Sequence, residues 1–279
     1  MFSRCLSRAV LRLATLGILS IAIRAGAAAP PLRICSDPDN LPFSSRTLAG
    51  FDNRVAMLLA RDLGRTPVFV WTRSRRGFMR EQFNKNACDV LMGVPVGMKA
   101  VATTHPYYRS SYVFVTRAKE HLQFTSFDDP RLNGRRIGLQ IMEEDLSPPS
   151  LPLIRSGHAG QLVGFESFGA QAEDIVRAVS DKRTGTAVVW GPVAGYYAAR
   201  QREPLALSFV FPTVDRAGIP FVFSIAVGVH KQDAALRDAM NASLTRLQPK
   251  IRNVLEAYKV PTLALDKGDG NEAQSRNPR

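Results

Sequence analysis

Residues 106–117 read PYYRSSYVFVTR, a Pro-Tyr turn feeding the aromatic and β-branched run Tyr112 to Val115 before a charged exit. So short an apolar run between turn and charge predicts a buried strand. Its counterpart is Phe221 to Val229, FVFSIAVGV, a second continuous apolar run more than a hundred residues downstream. The segment between them holds strand and helix patterns of its own, enough for a separate lobe. The reading that follows is a chain that leaves one α/β lobe on the first strand and returns on the second, with a cleft between the lobes. Ligands and partners bind at such boundaries, so the cleft is where function is sought.

Outward from these strands, the pattern alternates. Leu32 to Cys35 is a short strand, and the loop after it carries Asp37, Pro38, Asp39, Asn40 and Pro42, at the carboxyl end of a strand where open α/β sheets take ligands. Phe51, Val55, Leu59 and Leu63 recur every fourth residue, which predicts a helix closed by Gly64. Strands are expected at Pro67 to Trp71, Asp89 to Met92, Ile137 to Gln140 and Ala187 to Trp190, and helices over Ala172 to Val179 and Val193 to Arg202. Residues 143–160, rich in Pro, Ser and Gly, read as a long surface loop. Leu236, Met240, Leu244 and Leu247 form one stripe of a helix starting near Asp233, which Pro249 should stop or bend. The expected class is α/β, with two mainly parallel sheets under helical cover joined by two crossover strands. The expected divisions are residues 30–114 with 221–262 in lobe 1, 115–220 in lobe 2, and a disordered tail over 263–279.

Net charge bounds the partners. The 279 residues carry +13, of which four arginines lie in an acid-free first 29 residues, leaving +9 for the rest. Those 29 residues have a basic start, an apolar run from Leu13 to Ile23 and the small residues AGAAA before Pro30, the pattern of a secretory signal peptide. The apolar run is too short to span as a membrane anchor. The expected compartment is the periplasm, which removes nucleic acid as a partner despite the charge. Cys35 and Cys88 remain after cleavage, and an oxidising compartment favours one disulfide between them. The alternative is two small buried thiols, since parallel neighbouring strands with Cys35 late in one and Cys88 just ahead of the other can hold them too far apart.

Catalytic patterns are weak. His105, His121, His158 and His230 are scattered, and no zinc spacing, nucleophile elbow or phosphate loop occurs. Glu143, Glu144 and Asp145 read first as a solvated charge run and only second as a cation site. The protein is expected to be no enzyme and to hold no cofactor of its own.

In order, the strand with its Pro-Phe loop, CDVLMG (88–93), PYYRSSYVFV, DDPRLNGRRIGLQ (128–140), AVVWGP (187–192) and FSIAVGVHK (223–231) resemble the extracytoplasmic solute-binding proteins, which include the amino-acid receptors of ABC transporters. The resemblance covers nearly the whole mature chain and implies a two-lobe periplasmic binding fold of type II kind. The strings CSDPDNLPFS, RRGF, CDVLMGVP, YYRSSYVFV, DDPRLNG and VVWGPVAGYYA are similar to the subgroup associated with quinoprotein methanol dehydrogenases, the MoxJ and XoxJ proteins. That likeness implies an accessory protein of methanol utilization, with methanol dehydrogenase subunits as partners. Amino-acid receptors of the family grip the ligand carboxylate with an arginine whose slot falls here on Gly97, and the ammonium with an aspartate whose slot falls on Gly191. Both anchors of a zwitterion are absent.

The expected cleft residues are Asp37, Asn40, Phe43, Arg75, Arg76, Phe78, Tyr107, Tyr108, Gln140 and Trp190. Aromatic faces with guanidinium groups suit a small planar anion, and pyrroloquinoline quinone (PQQ), a planar tricarboxylate, is the candidate transient ligand. Arg73, Arg75, Arg76 and Arg80 also suit a docking patch for an acidic protein. Two rival readings stand beside this one: a transporter receptor for a small non-amino-acid solute, and an enzyme working through acids such as Asp37 or Glu143.

Overall fold

The structure, a computed structural model, describes residues 29–74, 77–142 and 145–265. The signal-peptide reading, Arg75 and Arg76, Glu143 and Glu144, and residues 266–279 of the tail lie outside them. No helix among the described residues is long and apolar enough to cross a membrane.

The chain opens with β1 (Leu32–Ser36), a small hairpin of β2 (Asp39–Asn40) and β3 (Ser44–Ser45), helix α1 (Phe51–Asp62), β4 (Pro67–Trp71), β5 (Val90–Pro95) and β6 (Ala102–Thr103). Strand β7 (Tyr108–Arg117) leads into β8 (Ile137–Met142), β9 (Asp145–Leu146), α2 (Ser150–Leu153), β10 (Leu162–Glu166), α3 (Asp174–Ser180), β11 (Thr186–Trp190), α4 (Gly191–Ala198) and β12 (Leu205–Phe209). Strand β13 (Val222–Val229) and helix α5 (Ala234–Ala257) close it.

Strand β7 belongs to both sheets. Its residues Tyr108 to Ser111 pair with β13, and from Tyr112 onward it pairs with β11 on one edge and β12 on the other. The hand-over between lobes therefore lies between Ser111 and Tyr112. Parallel pairing holds where α/β crossovers feed the sheets, β4 and β5 on β1 in one lobe and β10 and β11 on β8 in the other. The long strands β7 and β13 enter antiparallel, so each sheet is mixed rather than mainly parallel. The reason is topological: a strand arriving from the other lobe is not the product of a right-handed crossover within its own sheet.

Period explains the helices. Phe51, Val55 and Leu59 are fully buried on α1, and α5 buries Leu236, Met240, Leu244, Leu247, Ile251 and Leu255. Asp233 caps α5, accepting from the Leu236 N–H at 3.0 Å. Pro249 lies inside the helix and does not stop it. The apolar stripe continues through Ile251 and Leu255 and outweighs the roughly 3 kcal/mol that an interior proline costs.

Residues 145–160 do not form the surface loop expected over 143–160. They contain β9, α2 and a helical turn, and Leu153 is fully buried in the core of the second lobe with Phe114, Phe124 and Phe221. His158 is buried too, its Nε2 2.9 Å from the Phe127 carbonyl and its Nδ1 2.9 Å from Gln161 Oε1. The short spacing of Pro and Gly hid a segment that packs through a few large side chains rather than a period.

Candidate functional site

Cys35 and Cys88 form a disulfide, with Cα atoms 5.5 Å apart. Cys35 pairs with Leu91 across β1 and β5, and Cys88 reaches it from the turn two residues ahead of β5. Next to it, Asp89 accepts from Arg33 Nε and Nη2 at 3.1 and 2.6 Å. Burial works against this carboxylate, but the Arg33 hydrogen bonds and the Arg33 and Arg65 charges outweigh it and hold the carboxyl below its ordinary range.

Beyond the disulfide, the carboxyl ends of β1 and β5 open into a cavity of about 400 Å³. One lobe supplies Asp37, Asn40, Phe43, Asp52, Met92 and Gly93, and the other supplies Gln140, Phe168 and Trp190. The connecting strands add Tyr108 and Tyr112 from β7 and Phe223 and Ile225 from β13. Among the described residues that line it, none is Lys, Arg or His.

Six of the residues expected in the cleft, Asp37, Asn40, Phe43, Tyr108, Gln140 and Trp190, line this cavity. Tyr107 does not: next to Tyr108 on an extended chain it faces the other way and is buried behind the wall. Phe78 also stands outside the lining, packed beside the cluster of Cys35, Phe83 and Cys88. The structure adds Asp52, Tyr112, Phe168 and Phe223 to the site. Tyr112 lies four residues beyond Tyr108 on one strand face, a parity that was readable in the sequence. Asp52 was hidden because an acid in the first turn of a helix ordinarily serves the helix dipole.

Three polar side chains on the wall are held in place, while the buried Ser167 hydroxyl beside them has no hydrogen-bond partner among the described residues. Asp37 accepts from the Asp39 N–H at 2.8 Å and the Ser74 N–H at 2.7 Å, clamping the loop after β1 to the loop after β4. Gln140 Oε1 accepts from the Trp190 N–H at 2.6 Å. Asp52 is 5% exposed and accepts from Tyr107 Oη at 2.5 Å. Burial raises the Asp52 carboxyl to about 7, with the Tyr107 hydrogen bond acting in opposition. Burial, then the Asp52 charge, drives the Tyr108 phenol well above its ordinary range. Trp190 packs against Tyr112 with ring centroids 5.5 Å apart and edge-on against Phe223 at 5.8 Å.

The two slots for a zwitterion can now be placed. Gly97 sits in an exposed turn and Gly191 opens α4, and neither lines the cavity. A Cβ on Gly191 would stand 2.5 Å from Ser110 Oγ and 2.7 Å from the Ser111 carbonyl, so the backbone of β7 occupies the space a side chain would need.

Two lobes, a strand shared between their sheets and a cavity at the strand ends define a solute-binding protein of the clamshell kind. Residues 32–258 match the bacterial extracellular solute-binding proteins, family 3, and the chain belongs to that family. It is 31% identical to Protein MoxJ of Methylorubrum extorquens over 251 residues, 84% of this chain and 82% of that one. Among solved structures it is similar to MxaJ from Methlophaga aminisulfidivorans, with 28% identity and a TM-score of 0.73 over 83% of this chain and 100% of that one. Periplasmic binding protein XoxJ from Methylobacterium extorquens matches with 31% identity and a TM-score of 0.70 over 84% and 100%.

Proposed function

We propose that this protein is a periplasmic accessory factor of methanol oxidation that assists assembly or activation of a PQQ-dependent methanol dehydrogenase. The observation that carries the reading is a clamshell whose two zwitterion slots hold glycines away from the cavity, in a chain similar to MoxJ, MxaJ and XoxJ over most of its length. The fold is that of a receptor, and the grips of an amino-acid receptor are missing. The role we assign is binding of an unfinished dehydrogenase subunit, with lobe closure about β7 and β13 as the moving part. Catalysis is no part of it.

Presentation of PQQ is the finer form of this proposal. The described lining carries the carboxylates of Asp37 and Asp52, so a tricarboxylate would depend on Arg75 and Arg76 for its charge partners. Affinity capture with the mature chain as bait tests both forms. Retention of dehydrogenase subunits, apo or PQQ-loaded, is the expected result, and capture of neither counts against the role. Loss of a PQQ-dependent increment in Arg75→Gln/Arg76→Gln would assign the cofactor to the cleft.

The cavity itself favours one second reading, a transporter receptor for a small solute other than an amino acid. Its volume lies in the ordinary range for a small-molecule site. Tight calorimetric binding of a single solute, with no dehydrogenase captured, would select it.

A further inference from the structure

The side chains around the cavity specify a charge class for what it takes. Its rim and floor are aromatic: Tyr108, Tyr112, Trp190 and Phe223 converge there, three of them in ring contact through Trp190. Its described charged residues are both acids. Asp37 spends both carboxylate oxygens on backbone N–H groups. Asp52 is different. Tyr107 donates to Oδ1 only, and Oδ2 is directed toward Gly93, where a Cβ would stand 3.0 Å away. Gly93 has a φ of +74°, so the wall there is bare backbone and the carboxylate looks past it into the cavity. A buried carboxylate with one hydrogen bond and no cation costs free energy that a cationic guest would recover.

We propose that the cleft is a site for a small organic ammonium, its nitrogen against Asp52 Oδ2 and its apolar body enclosed by Tyr108, Tyr112, Trp190 and Phe223. Aromatic faces attract a cation through their quadrupoles, and a charge-assisted hydrogen bond to a desolvated carboxylate adds direction. This inference rests on reading the cleft as a ligand site, and it reverses the charge expected from the sequence. Tyr107 is a positioning residue: it donates to Asp52 Oδ1 and so leaves Oδ2 as the oxygen available to a guest.

Binding should depend on pH through Asp52. The titratable groups that interact with it are Tyr107 and Tyr108, with Asp37 and Tyr112 elsewhere on the same lining; burial raises the three phenols, so they stay protonated. The ammonium prefers ionised Asp52, so affinity should rise as pH passes upward through about 7, the value to which burial raises this carboxyl.

Calorimetry on the mature chain tests this with three matched probes: benzylammonium, benzyl alcohol and phenylacetate. Benzylammonium should bind, phenylacetate should not, and the ammonium affinity should strengthen between pH 6 and pH 8. Asp52→Asn keeps an acceptor for Tyr107 and should weaken benzylammonium by about tenfold or more while leaving benzyl alcohol unchanged. Tyr107→Phe removes the donor that favours the ionised form and should move the pH midpoint upward, a readout independent of whether Asp52→Asn folds. Preference for phenylacetate or PQQ, equal ammonium affinity in Asp52→Asn, or no ammonium binding at millimolar concentration would each overturn the proposal. Dehydrogenase capture uses no probe, so failure here leaves that result to stand or fall by itself.

Discussion

Asp52 carries a penalty for ionisation that burial imposes, and its effect on stability has a definite sign. Its carboxyl rises from 3.8 to about 7 on folding because it is buried, with Tyr107 offsetting only part. Between those values the native chain keeps a proton that the unfolded chain has released, so stability falls as pH rises. The full loss, present above about pH 7, is roughly 4 kcal/mol at 1.36 kcal/mol for each unit of pKa. Asp52→Asn cannot ionise and retains an acceptor for Tyr107, so the variant should exceed the wild type in stability at pH 8 and converge with it near pH 4. Urea unfolding of both at pH 4.5, 6 and 8 measures this, and a gap that does not close toward acid would place the burden elsewhere. At this scale the sequence revealed what loop chemistry signals: Asp37, Asn40 and Phe43 stand in a Pro-rich turn at a strand end, where ligands gather. It hid Asp52 and misplaced Tyr107 because the exchange between them joins residues 55 positions apart, which no local pattern carries.

Among the elements, the cavity rests on the pairing of β1 with β5, and the disulfide ties that pair together, with Cys35 itself part of the cavity wall. Closing a loop between residues 53 positions apart removes freedom mainly from the unfolded chain. Cys35→Ser/Cys88→Ser should therefore lower stability by about 2–4 kcal/mol while β1 and β5 still pair through Ile34 and Val90. Urea midpoints of wild type with and without reductant, set beside the double variant, measure it; a wild type indifferent to reductant would mean the bridge adds nothing. Strands and helices with a clean period were legible in advance, α1 and β4 almost to the residue. Residues 143–160 were not, because Leu153 and His158 pack singly, and periodicity counts faces rather than anchors. Pro249 does not stop α5 for a related reason: its local cost is real, and the burial on either side of it is larger.

At the scale of the molecule, the relation between the lobes depends on a segment with no regular structure. After α5 the chain runs along β7 beside the hand-over: the Leu263 N–H donates to the Arg109 carbonyl at 2.8 Å, and Ser110 Oγ donates to the Pro261 carbonyl at 2.6 Å. The same segment presses on α4 in the other lobe, where a Cβ on Gly195 would stand 1.9 Å from the Lys259 carbonyl, an approach only glycine permits. Tyr258 adds a ring stacked on Tyr196 at 5.8 Å and accepts from Arg54 Nε at 2.8 Å, so the segment touches α1, β7 and α4 together. Because it touches β7 ahead of Ser111 and Tyr112 and α4 beyond them, it would restrain any rotation of one lobe on the other. Ending the chain after Lys259 should therefore raise amide exchange in residues 108–111 by tenfold or more while α1, still held by Tyr258 through Arg54, and β1, paired on both edges, keep their protection. Ser110→Ala, which removes one of the hydrogen bonds between the segment and β7, should give a smaller change of the same sign. If exchange across β7 is unaltered in the shortened chain, the two lobes are held by their own contacts, and the segment merely lies over them.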